Sequence, residues 1–196
     1  ALYPYFRQAA LLGAQYGSNS DTFQKLRWKG KQAEQRMRRA TGGVNTHKGA
    51  IFSMGIFCAA TAAASLREGG YSRTRLAEGC AALCKGLCDD FVQLDRGLRP
   101  PCSYGEHLYC QHGIVGIRGE AERGFPSVMQ LGLPALQAAL KRGESCNDAA
   151  LYALLQLMTS VEDTNVLTRS DLQTLKWMQQ QADHLLQKGR LEHHLL

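Results

Sequence analysis

Apolar residues recur at helical spacing along nearly the whole chain, and no alternating run of convincing strand length interrupts them. Residues 2–15 carry such a pattern, and Gly17-Ser18-Asn19-Ser20 breaks it. Ser20 or Asp21 can cap a second helix over 22–39, whose sparse anchors Phe23, Leu26, Ala33 and Met37 predict a largely solvated element. The turn Thr41-Gly42-Gly43-Val44-Asn45-Thr46 leads into a long apolar helix over 47–67, rich in alanine and closed by Gly69-Gly70. Small residues let that helix pack closely on several neighbours, so it is the expected centre of the fold. Residues 73–90 repeat Leu, Ala and Cys three and four apart, which predicts another helix. Pro100-Pro101 marks a turn over 97–103, residues 106–112 form a short helix, and the stretch from Gly113 to Gly124 reads as a loop or a broken helix. Pro126 suits the first turn of a helix reaching Lys141. Ser145 or Asn147 starts the next, whose LYALLQLM run is apolar on nearly every side and predicts deep burial up to Glu162 and Asp163. A last helix starts at Ser170 or Asp171 and runs to about Lys188, with a stop at Gly189. The expected fold is all-α, a single multi-helix domain over 1–196 around a central apolar, alanine-rich helix.

Composition narrows the class. With 44% hydrophobic and 20% charged residues the chain can bury a core, unlike a disordered one. Its 23 Lys and Arg against 17 Asp and Glu give a formal charge of +6, which favours an anionic partner. A nucleic-acid reader would interleave cations with stacking aromatics, whereas here the cations are dispersed apart from Arg36, Arg38 and Arg39, so no specific nucleic acid is expected. Seven cysteines at irregular spacings match no disulfide framework and suit a reducing cytoplasm. Cys80, Cys84 and Cys88 would share one helical stripe, but no CxxC pair or spaced His joins them, so they read as small buried residues of a helix interface. The run IFSMGIFCAATAAASL stops at Arg67 and Glu68, short of the roughly 20 apolar residues of a membrane span, and reads as a core helix. The opening ALYPYF has neither an initiator methionine nor a signal pattern, so the expected start is internal, processed or incomplete.

Three segments could carry chemistry. In TGGVNTHKG a glycine turn feeds a helix whose N-terminal amides suit a phosphate, with Asn45, Thr46, His47 and Lys48 beside it. The order is not that of a Walker loop, and a plain glycine turn with a solvated lysine is the competing reading. In RGEAERGFP, Arg118 and Arg123 alternate with Glu120 and Glu122, an anion clamp beside a potential base or metal ligand, or else a salt-bridged surface turn. In Glu162-Asp163-Thr164-Asn165, followed by Arg169, oxygens at the exit of an apolar helix could hold Mg2+, against an ordinary helix terminus. The acids would there lie at the unfavourable end of the dipole.

These three segments, RRATGGVNTHKGAIFSMG, RGEAERGFP and DTNVLTR, in this order, resemble the signature of the triphosphoribosyl-dephospho-coenzyme A synthases over about Arg39 to Leu186. The resemblance implies an all-helical enzyme that moves the 5-triphosphoribosyl group of ATP onto the 2′-hydroxyl of 3′-dephospho-CoA and releases adenine. The product would be the prosthetic-group precursor for the acyl carrier protein of citrate lyase or malonate decarboxylase. It further implies Glu120, His47 and Asp163 as catalytic groups, since an oxocarbenium-like centre wants a carboxylate, the hydroxyl a base and adenine a proton. Arg39, Gly42, Gly43, Asn45, Thr46, Lys48, Arg118 and Arg169 would bind phosphate, and Asp163, Asn165 and Glu120 would meet Mg2+ arriving as Mg-ATP, without a prosthetic group. The expected partners are ATP and dephospho-CoA, with a downstream acyl carrier protein transferase and a homodimer as further possibilities. The chain departs from the family pattern in having Ser170-Asp171 where a glycine pair is usual, and in lacking an HxDM-like N-terminal and an NLSPGGSADLL-like C-terminal element. Those departures motivate an alternative, a non-catalytic or incomplete nucleotide-binding helical domain. A third reading, a basic RNA-binding helical protein, rests on charge alone.

Overall fold

A computed structural model describes residues 2–67 and 70–188. Among the described residues the chain forms eleven α-helices and one π-helical segment and no strand, an all-α fold as the periodicity predicts. The helices fall into two compact units. Unit 1 runs through Asp89 and includes Arg118–Phe125; unit 2 holds Asp90–Ile117 and the chain from Pro126 onward.

Unit 1 is built on α3 (Lys48–Ser65), which packs against α1 (Tyr3–Tyr16), α2 (Ser20–Ala40) and α4 (Arg73–Cys84). Its small residues permit that. A Cβ on Gly13 of α1 would lie 1.9 Å from the Ala59 carbonyl oxygen, and one on Gly55 would lie 2.1 Å from the Tyr5 hydroxyl. The two backbones therefore approach closer than any alanine allows. By length and a mean hydropathy of 1.3, α3 could cross a membrane, a closer approach to that limit than the sequence reading gives. In the fold it is the shared partner of three helices, with Ile51, Ile56, Ala59, Ala60, Ala63 and Ala64 buried. The anchors Phe23, Leu26, Ala33 and Met37 of α2 are buried as expected, but Asn19 is its cap: Oδ1 accepts from the Thr22 amide at 2.9 Å. Gly70 has φ +67°, whereas Gly69 lies outside the described residues.

The expected helix over 73–90 is shorter. It ends at Cys84 because Gly86 adopts φ +78°, and Cys88 lies in the following turns, so no three-thiol stripe forms. Burial pushes the thiols of Cys80 and Cys84 up to about 12, so both are protonated, inert packing groups. All seven cysteines are free.

In unit 2, α5 (Phe91–Asp95) and α6 (Tyr104–His112) meet through Phe91 stacked on Tyr109 at 4.3 Å. Leu108, Ile114, Leu167 and Leu175 form its core cluster. Ser103 and Glu106 make a capping box at the start of α6. Glu106 also takes Arg99 at 2.8 Å and the Cys102 amide at 2.7 Å, and these bonds hold its carboxyl down to about 2. The helix expected from Pro126 opens as a π-helical segment, Ser127–Gly132, before α8 (Leu133–Lys141). Ser145 caps α9 (Cys146–Met158), where deep burial fails: Ala149, Ala153 and Leu155 are buried, but Leu151 and Leu154 are exposed. An apolar run with no polar face gave no sign of which side would be covered. A further helix, α10 (Thr164–Arg169), lies beyond the expected exit. Asp171 caps α11 (Leu172–Gln187), accepting from Thr174 at 2.7 Å; the expected stop at Gly189 lies outside the described residues.

Candidate functional site

The TGGVNTHKG segment is the exposed turn between α2 and α3. Gly42 and Gly43 adopt φ +63° and +91°, which an L side chain resists, and a Cβ on either would meet nothing within 4 Å. Those glycines serve conformation, not packing. The turn is tied to the end of α2: Gly43 donates its amide to Arg38 O at 2.7 Å, Thr41 donates its hydroxyl to Val44 O at 2.6 Å, and the His47 amide meets Met37 Sδ at 3.0 Å. Asn45 Oδ1 accepts from the Lys48 amide at 3.2 Å, so Asn45 tethers the first turn of α3. Thr46 Oγ1 and His47 Nδ1 lie 2.8 Å apart.

Arg39, Gly42 and Gly43, Asn45, Thr46, His47 and Lys48 are all exposed. Glu34 gathers the cations, with Oε1 3.4 Å from Arg38 and 3.9 Å from Lys48. Two cations, Arg38 and Lys48, thus flank one carboxylate beside a helix N-terminus, leaving a positive balance where an anion is favoured. The parts played by Arg38 and Glu34 were missed from the sequence, although Glu34 and Arg38 stand four apart on one helix.

The RGEAERGFP segment is braced instead. It carries α7 (Gly116–Glu122), and Arg118 donates to Leu87 O through Nε at 3.0 Å and through Nη2. Glu122 accepts the Gly86 amide at 2.8 Å. Two of the four charged residues therefore hold the turn after α4. The phosphate-clamp reading of Arg118 has to share its guanidinium with that carbonyl. Glu120 is half-buried and lies 3.6 Å from Arg123, which is exposed, the ion pair of a salt-bridged turn. The helix ends in a Schellman pattern, with Phe125 N donating to Glu120 O at 2.7 Å and Gly124 N to Ala121 O at 3.1 Å. Gly124, at φ +78°, is required twice over, since its Cβ would stand 2.4 Å from the Ala77 carbonyl oxygen. Phe125 follows at φ +60°, a conformation that costs a non-glycine residue of order 1 kcal/mol or more. Its buried ring, 4.6 Å from Phe57, holds it there.

Asp163 is not at a helix exit. It is the N-cap of α10, with Oδ1 accepting from Asn165 N at 2.7 Å and Val166 N at 3.3 Å. The acid therefore lies at the favourable end of a helix dipole, which reverses the sequence argument about its placement. Asp163, Asn165 and Arg169 are exposed. Among the described residues no group of three or more His, Cys, Asp or Glu could hold a metal ion. A cation carried by a polyphosphate needs fewer protein ligands, because Mg2+ usually keeps waters and takes one or two carboxylates. With Oδ1 committed to the cap, Oδ2 is the oxygen Asp163 can offer. Lys48 and Glu120 belong to unit 1, and Asp163, Asn165 and Arg169 to unit 2.

An exposed cationic glycine turn at a helix N-terminus thus stands in the same unit as a braced Arg-Glu helix, in an all-α protein. The chain belongs to the ATP:dephospho-CoA triphosphoribosyl transferase family, whose model matches residues 1–195. It is 38% identical over 188 residues to the 2-(5″-triphosphoribosyl)-3′-dephosphocoenzyme-A synthase of Pectobacterium atrosepticum, covering 95% of this chain and 62% of that protein. Probable synthases of the same name from Photobacterium profundum and Vibrio cholerae are 39% and 37% identical over 165 and 191 residues, covering 84% and 96% of this chain and 52% and 61% of theirs. The chain thus spans between half and two thirds of the length of these relatives. No solved structure matches it.

Proposed function

We propose that the chain carries the catalytic helices of a transferase that moves the 5-triphosphoribosyl group of ATP to the 2′-hydroxyl of 3′-dephospho-CoA. The observation that carries the reading is the family match over nearly the whole chain, joined to the exposed cationic turn at the head of α3. The C1′–N9 bond of ATP breaks, the 2′-oxygen bonds to C1′, adenine leaves with a proton on nitrogen, and a base receives the hydroxyl proton. The triphosphate stays on the moving group, so its charge has to be held from start to finish. Arg39 and Lys48 with the α3 amides fill that role in unit 1; Arg118 of unit 1 and Arg169 of unit 2 are the further candidates.

Glu120, half-buried beside Arg123, is the carboxylate suited to the developing oxocarbenium charge. His47 or Asp163 protonates the leaving adenine. Mg2+ arrives with ATP and neutralises phosphate charge; Glu120 of unit 1 is one candidate oxygen ligand, and Asp163 Oδ2 with Asn165 of unit 2 is another. The product is the prosthetic-group precursor for an acyl carrier protein of citrate lyase or malonate decarboxylase, handed on by a further transferase. The seven free cysteines support a reducing, cytoplasmic setting.

The test is incubation with ATP, Mg2+ and dephospho-CoA and chromatography of free adenine. Stoichiometric adenine and a triphosphoribosylated product are expected, and Glu120→Gln should slow release by about 100-fold or more. ATP binding without any adenine would instead support a non-catalytic nucleotide-binding domain.

A further inference from the structure

The sequence shows dispersed cations, but the fold aligns some of them. On α2, Lys25, Trp28, Lys29, Gln32, Arg36 and Arg39 follow one another three or four apart and so share one face. No acid interrupts that face between Lys25 and Arg39. Glu34 falls on the opposite side, where it meets Arg38 and Lys48. At its lower end the face opens into a groove of about 570 Å³ between α1 and α2, lined by Leu12, Tyr16, Asp21, Lys25, Trp28 and Lys29 among others. The Trp28 ring is 57% exposed and Tyr16 46%. Lys25 stands over Tyr16 at 5.2 Å and Lys29 over Trp28 at 4.9 Å. The stripe's upper end, Arg39, adjoins the TGGVNTHKG turn.

We propose that this groove binds the adenine nucleotide end of the acceptor, dephospho-CoA, with its base on Trp28 and its diphosphate on Lys25 and Lys29. The ligand's identity rests on the transferase reading; the chemistry of the groove does not. A reaction between two adenine nucleotides needs two sets of cations, and the α3 turn supplies one. The groove supplies the other beside the exposed Trp28 indole, and stacking of a base on such a ring contributes about 1–3 kcal/mol. Asp21 offers an acceptor for a ribose hydroxyl or the exocyclic amine. Eleven residues separate Trp28 from Arg39, about 16 Å along the helix. A triphosphate held at the turn and a base held at the groove therefore leave their sugars between the two anchors.

The chain has two tryptophans, so Trp177→Phe leaves Trp28 as the sole indole reporter. Titrating that variant with dephospho-CoA should quench its fluorescence saturably, while 4′-phosphopantetheine, which lacks the base, should not. Lys25→Ala with Lys29→Ala should raise the half-saturating concentration about tenfold, equivalent to about 1.4 kcal/mol. Absence of saturable quenching, equal quenching by phosphopantetheine, or indifference to the two lysines would each overturn the proposal. The adenine-release assay separates the two readings. Release by a Trp28→Ala variant with unchanged KM for dephospho-CoA removes the groove and keeps the transferase. Trp28 quenching in a protein that releases no adenine keeps the groove and removes the reaction.

Discussion

The two glycine-bearing signature segments of unit 1 use glycine for opposite ends. In TGGVNTHKG the glycines stand in open space, every side chain from Gly42 to Lys48 is exposed, and the hydrogen bonds are local. In RGEAERGFP, Gly124 sits against the Ala77 carbonyl, Arg118 and Glu122 bond the backbone of the turn after α4, and Phe125 is held at positive φ by burial. The first segment leaves its polar side chains exposed to solvent; the second gives most of them to the fold. A motif's residue types therefore do not reveal which of its members are chemical, because bracing and binding draw on the same arginines and carboxylates.

That contrast is open to direct attack, most severely at Gly124. Gly124→Ala places a Cβ 2.4 Å from a backbone oxygen at a left-handed φ, and it should cost roughly 3 kcal/mol or more, read from urea unfolding. Arg118→Ala removes both bonds to Leu87 O and should cost about 1–2 kcal/mol. Gly42→Ala meets no atom and should cost only about 1 kcal/mol for its φ of +63°. Equal costs at Gly42 and Gly124 would erase the distinction. Unit 2 supplies an acid-side control. Glu106, its carboxyl held at about 2 by Arg99 and the Cys102 amide, contributes stability that is fully present above the ordinary carboxylate range. That contribution is lost as pH falls from about 4.5 toward 2, and Glu106→Gln should flatten this part of the stability profile, followed by circular dichroism.

The sequence made the all-α class legible because period and small-residue content agree: the alanines of α3 are what let three helices crowd around it. It did not show the end of α4 at Gly86, since the leucine and cysteine spacing continues past a break that one glycine makes. Nor did it show α10, because Asp163 reads equally as the end of one helix or the cap of the next until the Asn165 and Val166 amides are located. The bracing by Arg118 and Glu122 was not legible for a nonlocal reason. Their partners, Leu87 O and Gly86 N, are backbone atoms more than thirty residues away, which no side-chain pattern encodes.

The turn at the head of α3 as a polyphosphate grip is tested most directly by calorimetric titration of the full chain with inorganic tripolyphosphate, before and after Lys48→Ala. The expected result is about tenfold weaker binding, equivalent to about 1.4 kcal/mol, with the unfolding midpoint unmoved, since Lys48 is exposed and its one ion pair is long. Equal affinity for the two proteins would contradict the account.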